Sequence, residues 1–477
     1  MQTFNFPTKN KETILALGAE SAGNFSVSFP LPCLPRQNNS DWGTQGRAAR
    51  PPRYAKRCGR GERLGRIHLS QDFGDLLDEN NFNNFKKSIL NFLKKNKIKP
   101  TIILTDLHPL MKTTLWGKEL SKKYKAKFIQ VQHHHAHIFS QIKPLPLGKG
   151  EVGRGFENLP ATFYGDCPVK HDSVFYGTCP VIAKQFYGVA MDGTGYGYDE
   201  KIWGGECFEI SNKFQKSKLQ NKKIMIERIG SLEDQIMIGG ELATQEPARM
   251  IISILSKLLP KNKIYPFVKK YYTKNEFELL YNQLEQNFNC VETSSTGRIL
   301  DAVSLLLGFC GNERKYKHEA ITLLEANSTK PYKHPLPLID RVSHIALAVA
   351  QGEMSEGQRG CYKLNTTYLF KYLINNLHKD KKRLAATAQL YIAKGLHEII
   401  QKHINHPLPL IEGGDLPAGR QVSEGQRGWL KIVSSGGLSN NKIISDYFTS
   451  KNIYLNNTIP RGDAGLSFGQ IVYFLFK

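Results

Sequence analysis

Histidines 133 and 137 have the residue type and spacing of a metal site. They belong to the run Gln132-His133-His134-His135-Ala136-His137, which follows the apolar pair Phe128-Ile129. If this segment is helical, His133 and His137 stand at i and i+4 on one face, where their imidazoles can share one ion. His134 and His135 would then point elsewhere. A histidine-rich turn without metal explains the run equally well when it is taken alone.

Two aspartates favour the metal interpretation. Asp192 ends an apolar segment and opens Asp-Gly-Thr-Gly-Tyr-Gly, while Asp463 lies in Pro-Arg-Gly-Asp-Ala-Gly at the predicted start of the last helix. Two imidazoles with one or two carboxylates and open positions suit iron(II) or a similar divalent ion. The alternative for each aspartate is a turn or N-cap role, which is common beside glycine.

Two glycine turns are candidates for phosphate or nucleotide contacts. The first contains Gly193, Thr194 and Gly195, and the second is Ser434-Ser435-Gly436-Gly437, which precedes Asn441 and a predicted helix. Glycine lets backbone N–H groups turn toward an anion. A single turn of this kind is weak evidence, but the second follows an apolar strand, as expected near a nucleotide base or ribose.

Asp301 is a third candidate for nucleotide contact. It lies in the segment from Thr293 to Asp301, which leads into a predicted helix, and its carboxylate could accept hydrogen bonds from ribose hydroxyls. The competing interpretation is an ordinary surface pair between Arg298 and Asp301 at i and i+3. Without further context, the spacing favours the surface pair.

The elements that must position these residues alternate between apolar strands and helical patterns, which is typical of an α/β fold with buried sheets. A long helical region between two sheet-forming parts predicts two lobes around a cleft, with ligands at the carboxyl ends of strands. The predicted strands are Thr13–Leu17, Thr101–Leu104, Phe186–Met191, Trp203–Ile210 and Leu430–Ser434. The predicted helices cover 80–96, 113–124, 244–259, 296–308, 364–377, 383–403 and 464–476.

Composition narrows the class of protein. The 477 residues carry a net charge of +23, but lysine and arginine are dispersed apart from a dense run between Arg36 and Arg66, so charge alone identifies no partner. The basic charge is compatible with a tRNA-type partner, although nucleic acid is not the expected ligand. Eight scattered cysteines without a CxxC motif argue against a disulfide scaffold or zinc ribbon. No apolar run predicts a membrane span or signal peptide, so we expect a cytoplasmic protein.

Short repeated phrases mark predicted insertions. PLPL occurs three times, HPLPLI and SEGQRG occur twice, and Phe-Tyr-Gly-x-Cys-Pro-Val occurs at Phe163 and Phe175. Their irregular spacing excludes a solenoid, and their composition favours exposed loops. We predict insertions at 31–66, 144–182, 334–360 and 406–428. The predicted domains are 1–182 and 183–300 for the N-terminal lobe with its crossover, and 301–477 for the C-terminal lobe.

Several motifs in order resemble one family. They are VQHHHAHI, MDGTGYGYDEKIWGGE, GGELATQEPARM, TSSTGRILDAVSLLLG, SSGGLSNN and PRGDAGLSFGQ, preceded by LALGAE, LSQDFGDL and TDLHP. This series resembles the Kae1-like domain of the HypF carbamoyltransferases over about Ile14 to Gln470, apart from the predicted insertions.

The resemblance implies two ribonuclease-H-like lobes of the actin-like ATPase superfamily around a central cleft. It implies that a divalent metal, with iron favoured, is bound by the catalytic residues His133, His137, Asp192 and Asp463. It implies that ATP or carbamoyl-adenylate contacts Gly193, Thr194, Gly195, Asp301, Gly436, Gly437 and Asn441.

It further implies transfer of the carbamoyl group to the C-terminal cysteine thiolate of a HypE-type partner. The resulting thiocarboxamide later becomes a cyanide ligand of NiFe hydrogenase. Full-length members carry an acylphosphatase-like module, zinc fingers and a YrdC-like adenylate-forming domain ahead of this domain. The motifs of those modules are not found in this sequence, so a separate YrdC-like protein is an expected partner.

The sequence departs from the family pattern at three places. It has Tyr316-Lys317-His318 where Tyr-Glu-Gly is usual, Gly239-Gly240-Glu241 where Gly-Gly-Asp is usual, and Tyr391 where a histidine is usual.

Two alternative functions remain. A tRNA threonylcarbamoyl-transferase would explain the basic charge, but it normally has Gly-His where this chain has Ala136-His137, and it lacks Trp203-Gly204-Gly205-Glu206. The second alternative is a non-catalytic scaffold that binds nucleotide.

Overall fold

The computed structural model describes residues 1–8, 11–30, 63–142, 185–213, 223–342, 358–359, 361–405, 410–411 and 432–477. Two compact units are present: unit 1 is Met1–Gln130, Ile142–Ile182 and Gln470–Phe476, and unit 2 is Val131–Gln141, Ala183–Gly469 and Lys477. The predicted insertions at 31–66, 144–182, 334–360 and 406–428 lie largely outside the described residues. The predicted domain boundaries therefore stay predictions.

Unit 1 is built on a six-stranded sheet with the order β1-β4-β3-β2-β5-β6. Its strands are β1 Gln2–Thr8, β2 Ile14–Ala16, β3 Ser26–Pro30, β4 Arg63–Leu69, β5 Ile102–Asp106 and β6 Lys127–Val131. The strands β1 to β4 pair in antiparallel fashion, whereas β2 pairs with β5 in parallel, with Ile14 opposite Ile102.

Helices α1 Glu79–Lys95 and α2 Lys112–Tyr124 also belong to unit 1. Helix α1 begins where the Asp78 side chain accepts a hydrogen bond from the backbone N–H of Asn81 at 2.9 Å, a standard N-cap. Phe82, Phe85 and Ile89 recur at helical spacing and are buried with Leu15 of β2 and with Phe25, which directly precedes β3. Burial of each such side chain contributes about 1.5–3 kcal/mol to stability.

Unit 2 contains an eight-stranded sheet in which β10, β11, β8, β9, β14 and β12 are neighbours in that order, β7 pairs with β8, and β16 pairs with β7. Its strands are β7 Gln185–Tyr196, β8 Ile202–Lys213, β9 Lys223–Leu232, β10 Gln235–Ile238, β11 Cys290–Thr293, β12 Ile339–Val342, β14 Cys361–Leu364 and β16 Ile432–Ser435. A separate pair consists of β13 Gln358–Arg359 and β15 Leu410–Ile411.

The parallel pairing of β16 with β7 brings two candidate segments to one end of the sheet. Ser435 lies opposite Ala190, so the turn after β16 adjoins the part of β7 that leads to Asp192. A register shift between Met191 and Gly195 then bends β7 and takes Asp192 to Thr194 out of the regular pairing with β8. This bulge explains how a strand presents a glycine turn at its centre.

Helices cover the core of unit 2. They are α3 His133–Ser140, α4 Leu242–Gln245, α5 Ala248–Ser256, α6 Lys261–Val268, α7 Lys274–Glu285, α8 Thr296–Leu307, α9 Glu319–Ala326, α10 Thr366–Asn375, α11 Lys381–Asn405, α12 Lys442–Ser450 and α13 Leu466–Phe476, the last of which runs on into unit 1. None of the helices in the described ranges is both long and apolar enough to cross a membrane.

The predicted elements within the described residues are confirmed in type, with ends that differ by a few residues, and so is the α/β class. One prediction was wrong: the single helix over 244–259 is interrupted, because α4 ends at Gln245 and α5 begins at Ala248. Pro247 lies at the break, where its missing N–H cannot join a continuous helix. Predicted strand residues Leu430 and Lys431 lie outside the described residues.

Candidate metal and nucleotide site

Helix α3 supplies the two candidate histidine ligands. The Gln132 side chain caps α3 by accepting a hydrogen bond from the backbone N–H of His135 at 2.9 Å. The predicted i, i+4 arrangement is confirmed, since the Nε2 atoms of His133 and His137 face each other at 3.1 Å. Both side chains are buried, with 1% and 0% exposure.

Asp192 and Asp463 complete a cluster with these histidines. Asp192 comes from the bulge of β7, and Asp463 opens a 3-10 turn that runs into α13, as predicted. Asp192 Oδ2 lies 3.0 Å from His133 Nε2, and Asp463 Oδ1 lies 3.2 Å from His137 Nε2. One ligand atom from each of the four residues lies within 4.8 Å of the others. The structure thus brings all four predicted metal ligands together.

The protonation tendencies of the cluster reflect its burial and its close contacts. Burial alone would raise the pKa of Asp192, but hydrogen bonds from His133 and His137 outweigh that effect and hold the pKa well below its usual range. Burial and the charge of Asp192 likewise oppose ionisation of Asp463, yet contacts with the same histidines lower its pKa. Two ionised carboxylates beside two imidazole nitrogens form an electron-rich pocket suited to a cation.

The other two histidines of the run are turned away from the cluster. The Nδ1 atom of His134 is hydrogen-bonded to the Gln132 side chain at 3.1 Å, and His135 packs edge-on against Phe208 at 5.2 Å between ring centroids. Burial, with a smaller effect from the charge of Lys477, lowers the pKa of His135 to about 3, so its ring is neutral. This agrees with the prediction that only two of the histidines share one face of α3.

The turn that contains Gly193, Thr194 and Gly195 lies directly beside the cluster. A Cβ atom built on Gly195 would overlap the ring of His134, so glycine is needed there for the turn to approach α3. Gly193 is different, because a Cβ built on it would meet no heavy atom of the described chain nearer than Arg298 Nη2, at 4.0 Å. Thr194 is exposed.

The second glycine turn lies next to the carboxylate of Asp192. A Cβ on Gly437 would have Asp192 Oδ1 at 3.5 Å as its one near neighbour, and a Cβ on Gly462 would contact only Gly437. Gly436 has a φ of +95° and packs against the backbone of Met191, so it shapes the turn and presents no open face. Gly193, Gly437 and Gly462 therefore each leave room for a neighbouring group, and at Gly437 this room lies beside Asp192.

Asp301 and Asn441, which were predicted to contact the nucleotide, already have hydrogen-bond partners within the protein. Asp301 is fully buried and pairs through Oδ2 with Arg298 at 2.7 Å and with Arg314; its Oδ1 has no hydrogen-bond partner in the described residues. The predicted pair of Arg298 and Asp301 exists, but it is buried and does not lie on the surface. Asn441 caps α12 by accepting from the N–H of Ile444, and donates to Gln389 Oε1 at 2.7 Å.

The supporting role of Glu206 was not predicted from the sequence. This fully buried carboxylate accepts hydrogen bonds from Arg228 Nε at 2.5 Å and from Ser294 Oγ, and Arg228 stacks on Trp203 at 4.1 Å. The next residue, Ser295, donates to the carbonyl oxygen of Gly193 and caps α8. Glu206 thereby supports the backbone that carries Asp192. The only sequence signal was the phrase Trp-Gly-Gly-Glu itself.

The three departures from the family pattern occupy distinct environments. His318 precedes α9 with a φ of +72°, a left-handed conformation that favours glycine. Gly239 and Gly240 both have positive φ, and Glu241, which follows them, is exposed. Tyr391 is buried within α11 and donates its hydroxyl hydrogen to the carbonyl oxygen of Asn365 at 2.7 Å. Tyr391 thus has a structural role.

The domain has a mixed α/β fold with two glycine turns beside a His-His-Asp-Asp cluster. Two family models match a chain with these features. Residues 188–408 match the second subdomain of the carbamoyltransferase Kae1-like domain, and residues 62–143 match the HypF Kae1-like domain. The chain belongs to the family of HypF Kae1-like domains.

Individual relatives agree with the family models. The chain is 31% identical to a probable carbamoyltransferase HypF of Methanocaldococcus jannaschii over 86% of this chain and 44% of that protein. It is 25% identical to carbamoyltransferase HypF of Synechocystis over 59% of this chain and 32% of the relative. The chain thus spans less than half of the length of these relatives.

Two solved structures share the fold. A full-length HypF in a phosphate- and nucleotide-bound form matches with a TM-score of 0.66 and 20% identity, over 99% of this chain and 57% of the other. HypF of T. kodakarensis matches with a TM-score of 0.65 and 21% identity, over 99% of this chain and 49% of the other.

Proposed function

We propose that this domain transfers a carbamoyl group from carbamoyl-adenylate to the C-terminal cysteine of a HypE-type acceptor, in the maturation of NiFe hydrogenase. The observation that carries the proposal is the cluster of His133, His137, Asp192 and Asp463, bordered by the open face of Gly437. The proposed setting is the cytoplasm.

The donor set fits a divalent metal, and iron(II) is the favoured ion. Two ligand atoms bound to one ion at about 2.1 Å and at right angles lie roughly 3 Å apart. The separations of 3.1 Å between the histidine nitrogens and 3.0 Å between His133 and Asp192 match that value. When bound, the ion would polarise a carbamoyl or phosphate oxygen.

The nucleotide is proposed to occupy the space beside Asp192. Backbone N–H groups of Gly193, Thr194 and Gly195 would face its phosphate, and the Gly436-Gly437 turn would face its adenosine end. Asp301 Oδ1 is an acceptor without a hydrogen-bond partner in the described part of the chain, which suits a ribose hydroxyl. A contact with the Asn441 side chain would use the second N–H of its Nδ2 or the second lone pair of its Oδ1, beside the two existing hydrogen bonds.

The proposed reaction is an acyl transfer. The acceptor cysteine loses its proton, its sulfur attacks the carbamoyl carbon, and a C–S bond forms as the carbon–oxygen bond to phosphate breaks. AMP leaves with the electron pair of that bond. Because the acceptor supplies the nucleophile, the tasks of this domain are to bind, to orient and to stabilise charge that develops on oxygen. The adenylate is proposed to come from a YrdC-like partner.

A single-turnover assay tests the proposal. The chain is mixed with carbamoyl-adenylate, generated in place by a YrdC-like protein, and with a HypE-type acceptor whose intact mass is followed. We expect the acceptor to gain one carbamoyl group, and we expect His137→Ala to abolish the gain. The matched control is His397→Ala, because His397 lies on α11 and contacts Tyr447, outside the cluster.

The result that contradicts the proposal is an acceptor of unchanged mass although the chain binds both metal and nucleotide. That result would favour a non-catalytic nucleotide-binding scaffold. Transfer that survives His137→Ala would contradict the role of the cluster while leaving the reaction itself in place.

A further inference from the structure

A buried cluster of two arginines and one aspartate lies beside the Gly193 turn. The Oδ2 atom of Asp301 accepts hydrogen bonds from Nη2 of Arg298 at 2.7 Å and from Nη2 of Arg314. Arg298, one helical turn before Asp301 on α8, is only 4% exposed. Two guanidinium cations around one carboxylate leave the cluster with one positive charge in excess.

The guanidinium groups retain donors for a further acceptor. An arginine side chain carries five N–H donors in a planar fork that matches phosphate oxygens. Within the described ranges, the Nε atoms of Arg298 and Arg314 are both buried and have no hydrogen-bond partner. A buried donor without an acceptor is unfavourable, so an anion that joins the cluster would stabilise it.

The cluster faces an open space over Gly193. A Cβ atom built on Gly193 would lie 4.0 Å from Arg298 Nη2, and no other heavy atom of the described chain would be as near. Ser295 caps α8 and donates to the carbonyl oxygen of Gly193, so the amino terminus of this 12-residue helix adjoins the same turn. The partial positive charge of that terminus adds to the charge of Arg298.

We propose that Arg298 contacts the phosphate of the bound adenylate: a phosphoryl oxygen over Gly193 accepts a hydrogen bond from its guanidinium. The inference rests on the proposed nucleotide binding and extends it to a nucleoside monophosphate or acyl-adenylate. Asp301 and Arg314 act as positioning residues. Negative charge grows on the phosphate as the carbon–oxygen bond breaks, so Arg298 stabilises the departing AMP.

Comparison of AMP with adenosine tests the role of Arg298. Binding of each ligand is measured by calorimetry for the wild-type chain and for Arg298→Gln, with metal content determined in parallel. We expect Arg298→Gln to weaken AMP binding roughly 10- to 100-fold, the range for a hydrogen bond to a charged group. Adenosine affinity and metal content should stay within about threefold of the wild type, and Arg298→Lys should have an intermediate AMP affinity.

The matched control is Arg249→Gln. Arg249 also forms an i, i+3 pair, with Glu246 at 2.8 Å, but it lies away from Gly193 and should leave AMP binding unchanged. Unchanged AMP binding in Arg298→Gln, or an equal loss for AMP and adenosine, would overturn the inference while the proposed function stands. A wild-type chain that binds neither ligand would overturn both.

Discussion

His133 and His137 direct their Nε2 atoms at each other across 3.1 Å, inside a helix whose every residue is buried. An ion that binds both nitrogens would displace the proton shared in this contact and take its place. We therefore expect His137→Ala to weaken iron(II) binding roughly 100-fold or more, since even partners of metal ligands contribute about 10- to 100-fold. Metal content after dialysis against graded iron measures this, with His397→Ala as control. Equal metal retention in both variants would contradict the assignment.

Alanine should affect the stability of the domain much more at Gly436 than at the adjacent Gly437. Gly436 has a φ of +95° and its Cβ would overlap the carbonyl oxygen of Met191, so Gly436→Ala should lower the free energy of unfolding by about 3 kcal/mol or more. Gly437→Ala meets only Asp192 at 3.5 Å and should alter stability by less than about 1 kcal/mol. Urea denaturation measures both.

Ligand binding by Gly437→Ala provides the second half of that comparison. Its methyl group would enter the space proposed for the nucleotide, so AMP affinity should fall about tenfold or more although the domain stays folded. Calorimetric titration with AMP measures the loss. An unaffected AMP affinity would mean that the nucleotide lies elsewhere.

Glu206→Gln should destabilise unit 2 by about 1.5–3 kcal/mol, because it removes the closest counter-charge of the partly buried Arg228 guanidinium. Chemical denaturation followed by tryptophan fluorescence measures the change. The comparison variant is Glu285→Gln at the exposed end of α7, which should stay within about 0.5 kcal/mol of the wild type. Equal effects of the two substitutions would refute a supporting role for Glu206.

His318→Gly should stabilise the domain by about 0.5–1 kcal/mol. A left-handed backbone at φ +72° is strained for histidine, and release of that strain exceeds the entropy that glycine loses on folding. His318→Ala keeps the strain and should bring no gain. Thermal unfolding of the three proteins separates these cases, and a destabilised glycine variant would show that the histidine side chain makes favourable contacts.

Much of the site was predictable because its ligands are marked by local patterns. The i, i+4 histidines, the aspartate in a strand followed by glycines and the aspartate before the last helix each have a short signature. Their convergence on one site was implied by the resemblance to the family, because two of the segments are a helix and a 3-10 turn and do not end neighbouring strands. Of the elements that carry them, β7 and α13 were predicted from their apolar character, whereas the helicity of α3 entered the prediction as a condition.

The parts that escaped prediction depend on contacts between distant segments. Strand β9 carries Glu227 and Arg228 among its apolar residues. An arginine that pairs with a buried carboxylate is indistinguishable in sequence from a fully exposed one until its partner is known. Arg314 lies in a charged loop and reaches Asp301 only in the folded chain. Glu206 and Ser294 are 88 residues apart, so no local pattern could report their hydrogen bond.

The candidate ligands lie near both ends of the sequence of unit 2: the histidines are on α3, and Asp463 is in the turn before α13. An ion bound there would act as a removable cross-link that closes a very long loop of chain. Binding of the ion would raise the free energy of unfolding of the unit. This stabilisation would increase with the logarithm of the ion concentration. Scarcity of that ion would then lower the amount of folded domain and its resistance to proteolysis.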